Sequence, residues 1–305
     1  MPEGDTIFRA ARTLQRALAG AVVTRFDTQY AHVARVHDDA PITGRMVERV
    51  AARGKHLLIY FSELRGQPSG VDEAAAPSGS RALATLQGPL VLRTHMLMSG
   101  SWHIYRSGEP WQRSASSARI VVATAAFVAV AFSVPIAEFV PAGELESDQA
   151  ISRLGPDVLS LDFDAAGAVV RLAGSTRPTA AEALLEQQAV AGIGNVFKSE
   201  LLFLAGQWPF QPPALVTDAQ WTRLVRDART LLQANVIDPS DGGVVTWRGM
   251  RRTTGRANPS QRLYVYGRHG RPCRQCGASI LMRHHGEHNR STYWCPRCQP
   301  PPADA

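Results

Sequence analysis

Four cysteines near the end of the sequence are the residues whose spacing most directly indicates a chemistry. They form two CxxC pairs with 18 residues between them: Cys273, Cys276, Cys295 and Cys298. Two such turns present four thiolates, which is the ligand set of a tetrahedral zinc site. Because four sulfurs fill the coordination shell, we expect one structural Zn²⁺ with no open position for a catalytic water.

Two disulfides are the alternative use of these cysteines. Glu3 and Asp5 lie where a secretory signal would need a basic and then an apolar stretch, so the sequence predicts a cytoplasmic protein whose thiols stay reduced.

Segments 279–282 and 291–294 are predicted to pair as a β-hairpin. Three histidines that could compete as zinc ligands are interpreted as residues of the hairpin tip: His284, His285 and His288.

The positive charge of the chain is regional. The 305 residues carry a formal charge of +7, and residues 248–298 contain eleven arginines against one acid, Glu287. That segment therefore carries +10 and the rest of the chain −3. A basic segment on an otherwise ordinary protein favours a polyanionic partner such as nucleic acid.

Only Lys55 and Lys198 among the 33 basic residues are lysines, and an ammonium, unlike a guanidinium, can lose its proton.

The first half of the chain is predicted to be mainly β-structure. Asp5 is predicted to cap an N-terminal helix that ends at Gly20, and residues 21–140 are predicted mostly as strands. Residues 66–82, rich in Gly, Ser and Pro, are predicted as a flexible insertion. The uncharged stretch 120–137 approaches the length of a membrane span, but its alanines and valine-rich halves favour two buried strands, so we expect no membrane contact.

The second half is predicted to be helical. Helices at 181–190 and 196–206 flank a glycine turn and form a helix-turn-helix arrangement, and a longer helix is predicted over 218–234. The backbone amides at the start of the helix after Asn195 suit contacts with phosphate. A basic arm at 247–263 precedes the cysteines.

Six short motifs occur along the chain in a fixed order. They are MPEGDT at 1–6, RGKHLL at 53–58, THMLMSGSW at 94–102, RLGPDVL at 153–159, AGIGNVFKSE at 191–200, and VYGR followed by the cysteine pairs and TYWC at the end. Together they resemble the formamidopyrimidine-DNA glycosylase and endonuclease VIII family of base-excision DNA glycosylases, over nearly the whole chain. The resemblance implies a bifunctional DNA glycosylase and AP lyase, monomeric and nucleoid-associated, that acts on damaged double-stranded DNA.

The resemblance also implies an α+β multidomain fold. An N-terminal catalytic β-sandwich flanked by helices is expected over 1–140, followed by a linker over 141–158. A helix-two-turns-helix DNA-binding domain is expected over 159–246, and the basic arm with a C-terminal zinc-finger β-hairpin over 247–305.

The N-terminus is the implied catalytic centre. Removal of Met1 exposes Pro2 as a secondary amine, and an α-amino group with a pKa of about 8 is partly neutral at neutral pH. Attack of this amine on the sugar C1′ displaces the damaged base and leaves a cationic iminium, which acidifies the C2′ hydrogen and permits β- and δ-elimination. In the family the proline is the nucleophile and the next glutamate the proton shuttle, which implies these roles for Pro2 and Glu3.

Further roles are implied position by position. Lys55 corresponds to the lysine that donates a proton in β-elimination, and Arg290 to the zinc-finger arginine that binds phosphate and is linked with δ-elimination. Asn195 and Arg153 correspond to positions that bind the DNA backbone. Met98 is expected to fill the gap left by the extruded base; a buried core methionine is the alternative.

The sequence favours the endonuclease VIII branch, which prefers oxidised pyrimidines. Residues 111–122 lack the Arg-Phe pair usual in formamidopyrimidine-DNA glycosylases, and Leu97 stands where the enterobacterial-type enzyme has glutamine, which leaves opposite-base contacts open. Two alternatives remain: the same chemistry on oxidised purines such as 8-oxoguanine, and a non-catalytic binder of damaged DNA. Lys198 matches no functional position of the family and is interpreted as a helix-surface residue.

Overall fold

The computed structural model of the protein describes residues 2–64, 86–236, 251–256 and 258–302. They divide into two compact units: Pro2 and Thr6–Ser152 form the first, and Glu3–Asp5 with the described residues after Ser152 form the second. The predicted insertion at 66–82 lies outside the described residues. Among the residues that are described, no helix has the length and apolar character needed to cross a bilayer.

Helix α1 spans Gly4–Leu18 and has the predicted amphipathic pattern. Its buried face comprises Ile7, Ala11, Leu14 and Leu18. Gly20 follows with a φ of 80°, a conformation that glycine adopts at little cost after a helix. The prediction that Asp5 caps this helix is wrong, because the helix already begins at Gly4 and the Asp5 carboxylate pairs with Arg251.

Two four-stranded antiparallel sheets form the body of the first unit. One contains β1 (Arg25–Thr28), β5 (Ser101–Arg106), β6 (Ala118–Ala123) and β7 (Phe127–Phe132), in the order β1-β6-β7-β5. The other contains β2 (Val47–Arg53), β3 (His56–Phe61), β4 (Leu90–His95) and β8 (Ile136–Pro141), in the order β2-β3-β4-β8. The prediction of strands in the uncharged stretch 120–137 is confirmed.

The two sheets share one hydrophobic core. Leu57 and Phe61 of β3 belong to the same buried cluster as Ile120 of β6 and Ala131 of β7, and the apolar face of α1 completes that cluster. Burying a side chain the size of leucine or phenylalanine contributes about 2 kcal/mol. The predicted β-sandwich flanked by helices is therefore confirmed.

Helix α2, Ala31–Asp39, was not predicted and lies in the region assigned mostly to strands. It packs against β1 and β8, and Val33 is its fully buried residue. Tyr30 precedes the helix without a side-chain capping bond. With so narrow a buried face and no capping residue, the segment has neither the apolar period nor the start signal that would distinguish a helix from a polar loop.

After the short α3 (Gln149–Ser152) of the first unit, the described part of the second unit continues with a run of helices. Its helices are α4 (Ala165–Ala173), α5 (Ala180–Ala183), α6 (Asn195–Leu204) and α7 (Asp218–Val236). α6 and α7 confirm two predicted helices, whereas the helix predicted over 181–190 lasts only one turn. The Gln187 side chain explains the difference: it donates to Leu185 O and Ile193 O and accepts from Gly192 N, so it stabilises turns in place of helix.

A β-hairpin forms the C-terminal part of the second unit. Strands β9 (Leu281–His285) and β10 (Arg290–Trp294) pair antiparallel, which confirms the predicted hairpin. β9 begins two residues and ends three residues after its predicted bounds, and β10 begins one residue early. The apolar cluster of the hairpin contains Cys273, Cys295 and Ile280, and it includes Phe203 of α6. The hairpin is therefore packed directly on the helix that follows the glycine turn.

Candidate active site

The N-terminus of α6 is capped by a carboxylate from a distant part of the chain. Gly194 precedes the helix and offers no side-chain cap. Glu3 replaces it: Val196 N donates to Glu3 Oε1 at 2.8 Å, and Phe197 N donates to Glu3 Oε2 at 3.3 Å. Glu3 is fully buried, so these otherwise unpaired helix amides hold its carboxylate in one position, and the helix dipole favours its negative charge.

Glycines make this close approach possible. A Cβ on Gly194 would lie 2.2 Å from Glu3 Cγ and Cδ, and a Cβ on Gly4 would lie 2.8 Å from the Gly192 backbone. Gly4 N donates to Gly192 O at 2.9 Å, and Gly192 has a φ of 102°. The glycines therefore allow the backbone around Glu3 to pack directly against the start of α6.

Arg251 is a buried counter-ion of this carboxylate. Its guanidinium donates to both oxygens of Asp5, at 3.1 and 2.6 Å, and lies 3.7 Å from Glu3 Oε1. It also lies over the Phe197 ring, 4.8 Å from the centroid. Burial by itself would lower the pKa of Arg251, but the charges of Glu3 and Asp5 raise it above its ordinary value. Arg251 therefore carries a permanent charge between two buried carboxylates.

The basic segment is accordingly not all binding surface. Arg251 neutralises carboxylates of the protein itself, and Arg268 donates to the carbonyls of Tyr264 and Pro272. Arg274 donates to Leu263 O at 2.9 Å and to Ser260 O at 2.5 Å. These three arginines hold the arm and the cysteine module in shape, and fewer than eleven remain for a polyanion.

Lys198 is buried, and its interpretation as a helix-surface residue is wrong. The side chain has no exposed surface, and Nζ donates to Asn195 Oδ1 at 2.8 Å, Ser291 O at 3.1 Å and Thr292 Oγ1 at 2.6 Å. Burial lowers the pKa of Lys198 to about 7, against the opposing attraction of Glu3. Its rarity as one of two lysines was the only sequence signal that set it apart.

Asn195 and Arg290 lie on the elements that Lys198 joins. Asn195 is the first residue of α6, and its Nδ2 donates to Ser291 Oγ at 3.2 Å. Arg290 is half-buried at the start of β10, near enough for its charge to lower the pKa of Lys198. The Tyr266 hydroxyl lies near Asn195 and Ser291, and burial raises the pKa of Tyr266. The structure thus brings these two predicted DNA-binding residues together, whereas Arg153 is exposed in the turn after α3.

The four cysteines form a cluster that could hold one metal ion. Their sulfurs all lie within 4.8 Å of one another, with 3.4 Å between Cys276 and Cys295 and 3.9 Å between Cys273 and Cys298. A tetrahedron with metal–sulfur bonds of about 2.3 Å has edges of about 3.8 Å, which fits this spacing. Backbone amides of Gln275 and Cys298 donate to cluster sulfurs at 3.4 Å, as expected around thiolates.

The three histidines near the cysteines are not all at the hairpin tip. His284 and His285 lie within β9, and the turn is formed by Gly286 and the residues up to Asn289. His285 Nε2 lies 2.5 Å from Thr292 Oγ1, and His284 Nδ1 lies 3.0 Å from Asn289 O. Only His288 occupies the predicted place.

In the first unit, Lys55 lies in the tight turn between β2 and β3. Gly54 takes the left-handed position of that turn with a φ of 57°. His56, the first residue of β3, pairs with His95 at the end of β4, and the centroids of their rings lie 4.9 Å apart. Burial lowers the pKa of His95 to about 4, helped by the charge of Lys55, and burial lowers the pKa of His56 to about 3. Both rings are therefore neutral at physiological pH. Pro2, in the same unit, is half-buried.

The loop after β4 presents Met98 to solvent. Met98 is 59% exposed and Leu97 45% exposed, so the alternative of a buried core methionine is wrong. Leu97 has a φ of 44°, a left-handed conformation that costs a non-glycine residue about 1 kcal/mol. Hydrogen bonds that hold the loop include those from Leu97 N to His95 Nδ1 at 3.1 Å, from Gly100 N to Met96 O at 2.8 Å and from Ser99 Oγ to Ser133 O at 3.4 Å.

Comparison with known proteins identifies the family. A model of the formamidopyrimidine-DNA glycosylase N-terminal domain matches residues 1–133, and one of the formamidopyrimidine-DNA glycosylase H2TH domain matches 154–245. The chain is 37% identical over 306 residues to a probable endonuclease 8 2 of Streptomyces coelicolor, with 99% of this chain and 95% of that protein covered. This chain belongs to the formamidopyrimidine-DNA glycosylase and endonuclease VIII family.

Relatives within the family differ in their similarity to the chain. It is 35% identical to the DNA-(apurinic or apyrimidinic site) lyase Nei2 of Mycolicibacterium smegmatis, covering 98% of this chain and 99% of that one. Identity to a formamidopyrimidine-DNA glycosylase of Oceanobacillus iheyensis is 25%, covering 98% of both. The fold matches Lactococcus lactis Fpg with a TM-score of 0.73 at 21% identity, covering 98% of this chain and all of that one. The chain is thus an endonuclease VIII-like member of the family.

Proposed function

We propose that this family member excises oxidised bases, pyrimidines in preference to purines, and cleaves the strand at the resulting abasic site. Membership of the family makes it a base-excision DNA glycosylase with AP lyase activity. The observation that carries the catalytic part of the proposal is Glu3: the residue next to Pro2 is a fully buried carboxylate fixed by two amides of α6. Such a group has the fixed position that general acid–base catalysis requires. The preference for pyrimidines is supported by the missing Arg-Phe pair in residues 111–122 and by the higher identity to endonuclease 8 relatives.

The proposed chemistry begins at the nitrogen of Pro2, freed by removal of Met1. The nitrogen forms a bond to C1′ as the glycosidic bond breaks, and the departing base takes a proton. Opening of the sugar ring leaves a positively charged iminium, and Glu3 transfers the protons that these steps release and consume. Loss of the C2′ proton then expels the 3′ phosphate, with Lys55 as the proton donor, and a second elimination expels the 5′ phosphate with Arg290 bound to it.

We propose that the DNA backbone is bound by Asn195, Arg290 and Arg153. Asn195 is hydrogen-bonded to Lys198 and Ser291, and Arg290 directly precedes Ser291 on β10. Both side chains offer N–H groups that can donate to phosphate oxygens. The exposed Met98 is long, flexible and apolar, which suits it to replace an extruded base in the stack. The partner is double-stranded damaged DNA, bound by a monomer in the bacterial cytoplasm or nucleoid.

A panel of lesions tests the preference for pyrimidines. Duplexes with a single thymine glycol or a single 8-oxoguanine, each opposite all four bases, are cleaved under single-turnover conditions. We expect thymine glycol to be excised at least about tenfold faster, a barrier difference of about 1.4 kcal/mol. If 8-oxoguanine were excised faster than thymine glycol, the result would support the alternative that the protein acts on oxidised purines. Binding without cleavage of any lesion or abasic site would support the non-catalytic alternative.

We propose that the four cysteines hold one structural Zn²⁺. When bound, the ion would fix the two CxxC turns and supply no reacting group, since its shell is filled. Native mass spectrometry should find one zinc per chain, and Cys276→Ser should remove it. Because the hairpin carries Arg290 and the acceptors of Lys198, we expect the variant to lose at least about tenfold in affinity for abasic-site DNA. Full affinity in a zinc-free protein would contradict this role.

A further inference from the structure

Lys198 joins the two elements on which the phosphate-binding residues lie. One of its acceptors, Asn195 Oδ1, is on α6, and the other two, Ser291 O and Thr292 Oγ1, are on β10. An ammonium has three N–H groups, and each finds an oxygen within 3.1 Å. We propose that Lys198 is a positioning residue that fixes Asn195 and the start of β10 in one arrangement, so that Asn195 and Arg290 bind the DNA backbone together.

The contact with Lys198 fixes the orientation of the Asn195 side-chain amide. An asparagine amide can rotate to exchange its oxygen and nitrogen. Here Oδ1 accepts from the ammonium while Nδ2 donates to Ser291 Oγ. Because an ammonium has no acceptor, the reversed amide would place N–H groups against N–H groups. Asn195 is 3% exposed, and the contact with Lys198 holds its Nδ2 on the side of Ser291, where an N–H group suits an acceptor such as phosphate.

The contacts with Ser291 and Thr292 fix the strand that carries Arg290. Arg290 directly precedes Ser291, whose carbonyl accepts from Nζ. Thr292 Oγ1 is shared between Nζ and the His285 ring, and His285 in turn lies 3.7 Å from Glu182. The strand is thus held at two successive residues beside Arg290, which fixes the point from which the guanidinium extends.

A lysine is used here at an energetic cost, which a purely structural role would not require. Removing an ammonium from water costs several kcal/mol unless its hydrogen bonds are replaced, and apolar residues of similar size often stabilise such sites as well. The charges around Nζ are Glu3, Glu182 and Arg290, so the ammonium is not bound in a simple ion pair. The arrangement favours a role in orienting neighbours for an anionic partner.

The proposal rests on the proposed function and is tested by a double-mutant cycle. Affinity is measured for a duplex with a tetrahydrofuran abasic-site analogue, which is bound but not cleaved through C1′ chemistry. We expect Lys198→Met, which keeps the length of the side chain, to weaken binding by about tenfold or more, since hydrogen bonds to charged groups are lost. In the Asn195→Ala background the same change should weaken binding by less than about threefold, because the residue it orients is gone.

Two controls separate positioning from stability. Arg45 is another fully buried cation, which donates to the carbonyls of Ser62, Leu86 and Gly88 in the first unit. Arg45→Met should lower the melting temperature and leave the affinity of the folded protein unchanged. Should Lys198→Met not fold, Thr292→Val removes a single acceptor of Nζ and should weaken binding by about threefold, again only while Asn195 is present.

The outcomes are distinct. Equal losses from Lys198→Met with and without Asn195, or no loss at all, would overturn the positioning role while the wild type still cleaved damaged DNA. Failure of the wild type to bind the analogue and to cleave any lesion would instead overturn the proposed function.

Discussion

Glu3→Gln should lower the rate of base excision by about 10²- to 10⁴-fold, the range that general acid–base catalysis contributes. Glutamine keeps the size of the side chain but cannot transfer a proton. The Glu3 carboxylate now accepts hydrogen bonds from the backbone N–H groups of Val196 and Phe197, and the glutamine would place its NH₂ group against one of these donors. The rate is measured by single-turnover excision of thymine glycol at saturating enzyme.

A matched control is Glu144→Gln, which makes the same change at an exposed glutamate outside the site. It should leave the excision rate within about twofold of the wild type, since surface substitutions of this kind usually have small effects. If Glu3→Gln retained the wild-type rate as well, the buried carboxylate would have no part in proton transfer.

Arg251→Met should reduce both stability and activity, because it leaves two buried carboxylates without their counter-ion. Asp5 and Glu3 are both fully buried, and Arg251 is 11% exposed. Removing one member of such a buried network costs about 3–5 kcal/mol of the free energy of unfolding. We expect urea denaturation to show a loss of this size, and excision by the folded fraction to fall with it because Glu3 loses a positive neighbour.

Arg256→Met is the comparison for Arg251→Met. Arg256 is exposed, and its guanidinium donates to Gln261 Oε1 at 3.2 Å. Its replacement should change the free energy of unfolding by less than about 0.5 kcal/mol. Equal and small changes for the two variants would show that Arg251 is not the counter-ion described here.

The fold was largely predictable because its signals are local. Valine-rich segments marked β6 and β7, apolar residues at helical spacing marked α1 and α7, and paired CxxC turns marked the cysteine cluster. Helix α2 and the early end of α5 were missed because a narrow buried face and a side-chain bond from Gln187 leave no periodic trace.

The site was less predictable because its contacts join distant residues. Glu3 caps a helix 193 residues further along the chain, and Arg251 reaches Asp5 across 246 residues. From the charge of its segment, Arg251 was predicted to lie on a binding surface. Lys198 matches no family motif position and was predicted to lie on a helix surface. Neither the pairing of two buried carboxylates with one arginine nor the three acceptors of Lys198 has a pattern in sequence, since both arise only when the chain folds.

Trapping the covalent intermediate tests the central claim, that the nitrogen of Pro2 attacks C1′. Borohydride added during cleavage of abasic-site DNA reduces an iminium to a stable amine, and mass spectrometry of the digested protein locates the modified residue. We expect a mature chain that begins with Pro2 and an adduct on its N-terminal peptide. An adduct on Lys55 or Lys198 instead, or full cleavage by a chain that still carries Met1, would contradict it.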